Sequence, residues 1–472
     1  MVKTKLIELF YQLSKLERNS LIKFAQSPYL QTRKDVCLLF EYLNTFPEKA
    51  HKQLDRQVVF TQVYPNKPFR ERKIYDLTTL AFQALEDFLT FEQFQKNKHK
   101  KLLELVDAYQ DRGLFDYSKK VLKKTNLHLE QQTIKNSTHY FQQYQFKYRD
   151  YLQQHHLQQQ RNAPISLEEV SKILDGAYIA EKLKQACLLL AHQAMYKTSY
   201  QTGLLSAVLP YIQRNPKCLE LPAVAIYYYC YQLLTQPSDT SFFQEFKQLL
   251  STHIHLFPTQ EIKDLYLLVI NFCIKAYNNG QEQYLKETFE LYQQALVNNV
   301  LLENGQLSAF AFTNIISIAL KLEQVKWTTE FIASYQDYLD SEIKETYVHY
   351  STAKLKFTQR KYSEAMLLLQ EVDSTDLFLS ISAKVMLLKI YYELEEYDVL
   401  DSFLHSFKTF LHRKKLIGYH KENYLNIIKF TQKLLVVNPF DREAMLTLQK
   451  QINQTASLSE REWLLEQLSK HY

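Results

Sequence analysis

Scarcity of glycine sets the strongest limit on this chain. There are 6 glycines among 472 residues, about 1.3% where roughly 7% is usual. They are Gly113, Gly176, Gly203, Gly280, Gly305 and Gly418, and no two lie closer than 25 positions. Phosphate loops and dinucleotide turns need neighbouring residues without a Cβ, so neither can be built here. A G-x-S-x-G nucleophile elbow is excluded for the same reason. Proline is also sparse: 11 in all, with none between Pro68 and Pro164 or between Pro258 and Pro439. Both residues penalise helix interiors, so their scarcity leaves long stretches free to be helical. Apolar residues at 46% and charged residues at 23% give the composition of a folded chain.

The hydrophobic pattern agrees with helix. Leu265, Leu268, Val269, Phe272 and Ala276 recur at 3–4 spacing, as do Val385, Leu388, Tyr391 and Tyr392, then Leu400, Phe403 and Leu404. No strand alternation competes with this pattern. About twenty helices of 10–20 residues are expected. Ser166-Leu-Glu-Glu169 reads as a capping box. Thr259 after Pro258, and Ser457-Leu-Ser-Glu460, read as similar starts. The opening MVKTKLIELFYQLSKL reads as an amphipathic helix, because Glu8 interrupts the apolar run a signal peptide needs. The longest charge-free stretch, Leu221–Ser238, contains Pro222 and Pro237 and does not suit a membrane span. The five cysteines form no CxxC pair and sit among apolar neighbours, which suits buried side chains in a reducing cytoplasm.

Three stretches align with one another: VDAYQDRGLFDYSKKVL, AKLKFTQRKYSEAMLLLQ and LLKIYYELEEYDVLDSFL. In each, a helix ends at a polar turn, an aromatic follows, and the residue three positions later lies on the next helix. These pairs are Phe115 with Ser118, Tyr362 with Ala365, and Tyr397 with Leu400. KLEQVKWTTEFI puts Val325 and Thr328 in the same roles. The recurrence resembles the tetratricopeptide repeat family. Ala353, Tyr362, Ala365 and Leu369 carry the likeness in one copy, and Leu388, Tyr391, Tyr397, Leu400 and Leu404 in the next. The chain departs from that family in lacking the turn glycine in its later copies and in having Leu400 where a small residue is usual. The resemblance implies an all-α protein: an α-solenoid of antiparallel helix pairs over 96–472, clearest over 96–133 and 310–412. It also implies a turn aromatic plugging the gap between paired helices. Residues 1–95 hold four prolines and shorter segments and read as a separate N-terminal helical module, with Arg70–Asn97 a long helix leading into the array. The stretch LSKLERNSLIKFAQSPYLQTRKDVCLLFEYL is similar to the opening of a set of bacterial helical-repeat proteins, a likeness that carries no functional residue over.

Candidate chemistry is thin. Glu48 and His51 form one Glu-x-x-His, where a carboxylate-bridged metal site needs two such pairs and further glutamates. His155-His156 and His253-x-His255 are the closest histidine pairs: the first point about 100° apart on a helix and cannot readily share an ion, and the second, which could in an extended stretch, read as residues near a helix end before Pro258. Glu395-Glu396 reads as a solvated turn. Tyr140, Tyr144, Tyr148 and Tyr151 lie at helical spacing and read as a buried face, whereas Tyr227, Tyr228, Tyr229 and Tyr231 cover more than one face. Exposed tyrosines there would suit protein recognition, which makes Tyr227, Tyr228 and Tyr231 candidate partner-binding residues. No catalytic, cofactor or metal residue is expected.

Charge is uneven. Residues 1–160 carry 26 Lys+Arg against 17 Asp+Glu, a net of +9, and residues 161–472 carry 31 against 34, a net of −3. Lys96, Lys98, Lys100 and Lys101 form one cluster. Lys119, Lys120, Lys123 and Lys124 form a second, with 119/123 and 120/124 one helical turn apart. Arg413-Lys414-Lys415 is a third, shorter one. The α-helical stripe Lys119–Lys124 is a candidate face for an acidic partner or for phosphate. The expectation is a non-enzymatic, cytoplasmic scaffold that binds a protein partner. The alternative is a nucleic-acid-associated regulator that contacts phosphates through its basic N-terminal third, with Arg70, Arg72 and Lys73 as its reading element.

Overall fold

A computed structural model describes residues 5–30, 32–46, 54–158, 167–196, 198–372, 376–413 and 418–470. The described chain is all-α apart from one minimal hairpin. The helices are Lys5–Gln12 (α1), Lys15–Ala25 (α2), Lys34–Thr45 (α3), Arg56–Val63 (α4), Glu71–Lys96 (α5), Lys98–Gln110 (α6), Phe115–Gln131 (α7) and Ser137–Gln158 (α8). Glu168–Tyr196 (α9), Leu205–Arg214 (α10), Pro222–Thr235 (α11), Thr240–His253 (α12), Thr259–Asn278 (α13) and Gln283–Val297 (α14) follow. Next come Ala309–Lys321 (α15), Val325–Tyr335 (α16), Lys344–Thr358 (α17), Tyr362–Gln370 (α18), Leu377–Glu393 (α19) and Tyr397–Arg413 (α20). Gly418–Val436 (α21), Arg442–Gln454 (α22) and Arg461–Ser469 (α23) complete the set. None of these helices is long and apolar enough to cross a membrane.

The hairpin pairs Leu302 with Leu307 and Glu303 with Gln306. Asn304 and Gly305 supply its turn, with φ of +50° and +80°. An Asn-Gly turn with both φ values positive matches the twist of antiparallel strands, which is why a hairpin forms where helical periodicity lapses.

The chain divides into two compact units. One comprises residues 1–184 and 203–225, and the other 185–202 and 226–472. In the first, α1, α2 and α3 pack on α5, and α3 packs on α4. Their core runs from Leu6, Ile7 and Phe10 through Phe40 and Phe60 to Leu85 and Phe88. Ser14 caps α2 with a full capping box: its hydroxyl accepts from the Glu17 amide, and the Glu17 carboxylate accepts from the Ser14 amide at 2.9 Å. The α6, α7 and α8 helices pack together over Leu103, Val106, Leu122, Leu129 and Phe146.

In the second unit, α15 packs on α16 and α17, and α17 packs on α18 and α19. The α19 and α20 helices are likewise in contact, and α23 packs on α21 and α22. A recurring turn links the paired helices. At the ends of α6, α13, α15, α17 and α19 one residue takes positive φ: Gly113 (+69°), Gly280 (+92°), Glu323 (+57°), Arg360 (+58°) and Glu395 (+58°). The next amide bonds back across five residues: Leu114 to Tyr109 at 2.9 Å, Gln281 to Ala276 at 3.2 Å, Gln324 to Ala319 at 2.9 Å, Lys361 to Lys356 at 2.9 Å and Glu396 to Tyr391 at 3.0 Å. This is the Schellman closure, which satisfies helix carbonyls that otherwise lack a partner. Four of the five turns open directly into a helix at Phe115, Val325, Tyr362 or Tyr397. Three residues on, Ser118, Thr328, Ala365 and Leu400 are each 0% exposed.

Two expected details differ. The turn residue Tyr397 is 44% exposed and so is no buried plug, although its ring meets Tyr392 at 6.0 Å. The Ser457–Glu460 box does not form. α23 starts at Arg461 after a left-handed Glu460, and no side chain caps it. Tertiary bonds hold the segment instead: Asn426 donates to the Ser457 carbonyl at 2.7 Å, and the Arg461 guanidinium donates to the Asn453 carbonyl at 2.8 Å and to the Thr455 carbonyl. Thr259 is the first residue of α13, and Pro258 precedes it without a side-chain cap. Ser166, the Glu48–His51 pair and Lys414-Lys415 lie outside the described residues.

Candidate functional site

The aligned turns give helices α15, α17 and α19 a common register. Counted back six residues from the left-handed residue of each turn, the positions are Ser317, Lys354 and Lys389. One helical turn further on, α15 carries Lys321 and α19 carries Glu393. Because α17 touches both α15 and α19, these side chains gather on neighbouring helices.

Glu460 sits among them. Its carboxylate accepts from Lys389 Nζ at 2.7 Å. Lys389 is 16% exposed, and its ammonium also lies 5.0 Å from the Phe357 ring centre and 5.7 Å from that of Trp463. Lys354 Nζ donates to Ser317 Oγ at 2.6 Å, and Ser317 Oγ donates to the Thr313 carbonyl at 2.7 Å. Lys321 Nζ donates to the Tyr277 phenol at 3.2 Å and pairs with Glu462 at 3.4 Å. Among the described residues, no carboxylate lies within ion-pair distance of Lys354.

The electrostatics follow from that imbalance. Burial is the largest influence on Lys354 and lowers its pKa. Glu460 opposes this, Lys389 and Lys321 add to it, and the result is about 8. Burial would raise Glu460, but the attraction and hydrogen bond of Lys389, then Lys354 and Lys321, hold it below the usual carboxylate value. Burial also opposes charge on Lys321, yet Tyr277 and Glu462 keep its pKa above the usual value. Burial carries the neighbouring Tyr350 phenol up to about 12. Protein atoms crowd Lys354, yet it is only half-buried, and the Glu460 side chain keeps 39% of its surface. The arrangement is a partly exposed charge cluster, a recess only in the sense that its side chains are half-buried: three ammonium groups around one carboxylate, with a second carboxylate at the edge. It can attract an anion, and among the described residues no group of three or more His, Cys, Asp or Glu side chains is placed to hold a metal.

α23 is fastened beside the recess. Glu393 accepts from Trp463 Nε1 at 3.1 Å, Gln467 Nε2 at 2.6 Å and Lys470 Nζ at 3.3 Å. With Lys389–Glu460 and Lys321–Glu462, these bonds tie the C-terminal helix to α15 and α19.

The residues singled out in the sequence fall elsewhere. Lys119, Lys120, Lys123 and Lys124 are all exposed on α7, in the first unit, with Lys120 Nζ 5.6 Å from the ring centre of the exposed Tyr117. Tyr227, Tyr228 and Tyr231 lie on α11, in the second unit. Tyr227 is 2% exposed and donates to Glu261 at 2.8 Å, so this phenol is committed to the interior and offers nothing to a partner. Burial and then the Glu261 charge raise its pKa. Tyr228 and Tyr231 are half-buried. Tyr140 is buried, but Tyr144, Tyr148 and Tyr151 form a partly exposed stacked row with ring centres 5.7 and 6.3 Å apart.

The lysine recess was not singled out in the sequence. Its one readable signal is the register of Lys354 and Lys389, 35 apart, within the aligned stretches. Glu460 comes from a segment with no repeat signal. No protein-family model matches this chain, and no curated protein matches it significantly.

Proposed function

We propose that this chain is a non-enzymatic scaffold that binds another protein through a tetratricopeptide-like solenoid of antiparallel helix pairs, working in the cytoplasm, where its five unpaired cysteines stay reduced. One observation carries the reading. The same Schellman turn ends α15, α17 and α19, the fourth residue of each following helix is fully buried, and α17 packs on both α15 and α19. Units that bury one face against neighbours leave the other free along the array, and such arrays hold peptides or protein faces there. Here that register carries Ser317, Lys354 and Lys389.

The test is affinity capture from lysate of the source organism, using the full chain and a K354E/K389E variant in parallel. A defined protein retained by the first and lost by the second is the expected result. Repeated failure of the unmodified chain to retain any defined protein would remove the scaffold reading.

A second reading rests on α7. Lys119, Lys120, Lys123 and Lys124 are all exposed, and among the described residues none has a carboxylate within ion-pair distance. Four such charges on one helix suit nonspecific attraction to phosphates, the basis of a nucleic-acid-associated role.

A further inference from the structure

We propose that the recess formed by Lys321, Lys354 and Lys389 is a binding site for an acidic peptide segment of a partner protein, and that Glu460 and Glu462 occupy it in the free chain as a built-in competitor. This rests on the scaffold reading and names the chemistry its partner must present.

The internal occupant is the template. Glu460-Arg461-Glu462 is a carboxylate–x–carboxylate segment. Its first acid is bound by Lys389 at 2.7 Å, and its second meets Lys321 at 3.4 Å. Lys354 lies between those helices in the packing order, is near enough to act on the Glu460 charge, and among the described residues has only the Ser317 hydroxyl as its hydrogen-bond partner. The recess therefore holds one more ammonium group than its occupant can satisfy. A segment with three acids would satisfy all three, which gives an outside ligand an advantage over the internal one.

Two features make the occupant replaceable. Glu460 holds φ of +55°, a left-handed conformation costly for a residue with a side chain. Glu462 is 80% exposed, so its pair with Lys321 is open to solvent. Aromatic rings favour a peptide over free phosphate: Phe357 beside Lys389 and Tyr277 beside Lys321 each keep some exposed surface on which the backbone and side chains of a ligand can pack.

The experiment measures binding of a fluorescent peptide of alternating Glu and Ser to the full chain, to E460Q and to E460Q/K354M by anisotropy. A Gln-for-Glu peptide and a single-stranded oligonucleotide serve as comparison probes. E460Q keeps a hydrogen-bond acceptor for Lys389 while removing the competing charge. It is expected to bind the Glu peptide at least about tenfold more tightly than the unmodified chain, with affinity falling as salt rises, and E460Q/K354M is expected to lose most of that gain. Should E460Q fold poorly in thermal melts, K354M alone decides the matter, with an expected loss of about fivefold or more. Unchanged affinity in folded E460Q or in K354M would overturn the proposal. So would equal binding of the Gln peptide, or an oligonucleotide that binds more tightly and displaces the Glu peptide. Failure here with a lysate partner still captured leaves the scaffold standing, whereas Glu-peptide binding as expected without any captured protein counts against the scaffold alone.

Discussion

Lys354 shows how one residue exposes the balance of forces in the second unit. Burial resists its charge, and Lys389 on α19 and Lys321 on α15 resist it further, while Glu460 alone among these facing groups favours it. In the unfolded chain a lysine titrates near 10.4, and in the folded chain Lys354 titrates at about 8. Between those values the unfolded state holds more protons, so stability rises with pH from about 8 to 10.4 and is flat below 8 with respect to this group. K354M removes the buried charge and keeps the length of the side chain. It is expected to stabilise the chain at pH 7 by about 1–2 kcal/mol, less than a sealed site would give because Lys354 keeps some contact with water. Thermal melts at pH 7 and pH 10 provide the measurement: the gap between K354M and the unmodified chain should narrow at pH 10. A gap that is absent at pH 7, or equal at both values, would show that the lysine bears no such cost.

At the scale of the element, α23 is the informative case. It is short, and an isolated helix of this length has little stability of its own in water. What holds it is tertiary: Trp463, Leu464 and Leu468 bury against the core that also includes Leu388, Leu404 and Ile428, and Glu393 gathers three donors from one side of the helix. Removing that acceptor leaves the Trp463 indole N–H and the Gln467 amide without it. In a W327F background Trp463 is the sole tryptophan. E393A is then expected to shift its emission to the red with little loss of total helix signal by circular dichroism, and an unmoved spectrum would show that α23 is held by its apolar face alone. Glu460 adds a dependence on acidity. Its folded pKa lies below the unfolded value of about 4.3, so its contribution is present above pH 4.3 and is lost as pH falls through the folded value. The same emission reports the release of α23 in that acidic range. The failed box at Ser457 belongs to this scale too, because bonds to α21 and the Arg461 guanidinium override a local start signal that reads well in isolation.

Taken as a whole molecule, the chain carries its excess positive charge in its first 160 residues, and the exposed α7 stripe is the place where a phosphate backbone would register it. If nucleic acid is a partner, the K119A/K120A/K123A/K124A variant should lower the slope of log affinity against log salt by about one for each lysine that meets a phosphate. Absence of duplex or single-strand binding even at low salt would remove that role. The sequence by itself determined the all-α class, because six glycines, few prolines and 3–4 apolar spacing act locally, through backbone freedom and helix faces. It also exposed the repeat register, since Ser118, Thr328, Ala365 and Leu400 were readable as one position and all four are fully buried. The turns themselves were obscured, because Glu323, Arg360 and Glu395 adopt the left-handed conformation usually given to glycine. Only the tertiary structure decided that Tyr227 turns inward to Glu261, and that Lys321, Lys354, Lys389 and Glu460, spread over 140 positions, share one recess. Side-chain convergence of that kind depends on which helix faces meet, and spacing along the chain shows of it only the shared register of Lys354 and Lys389.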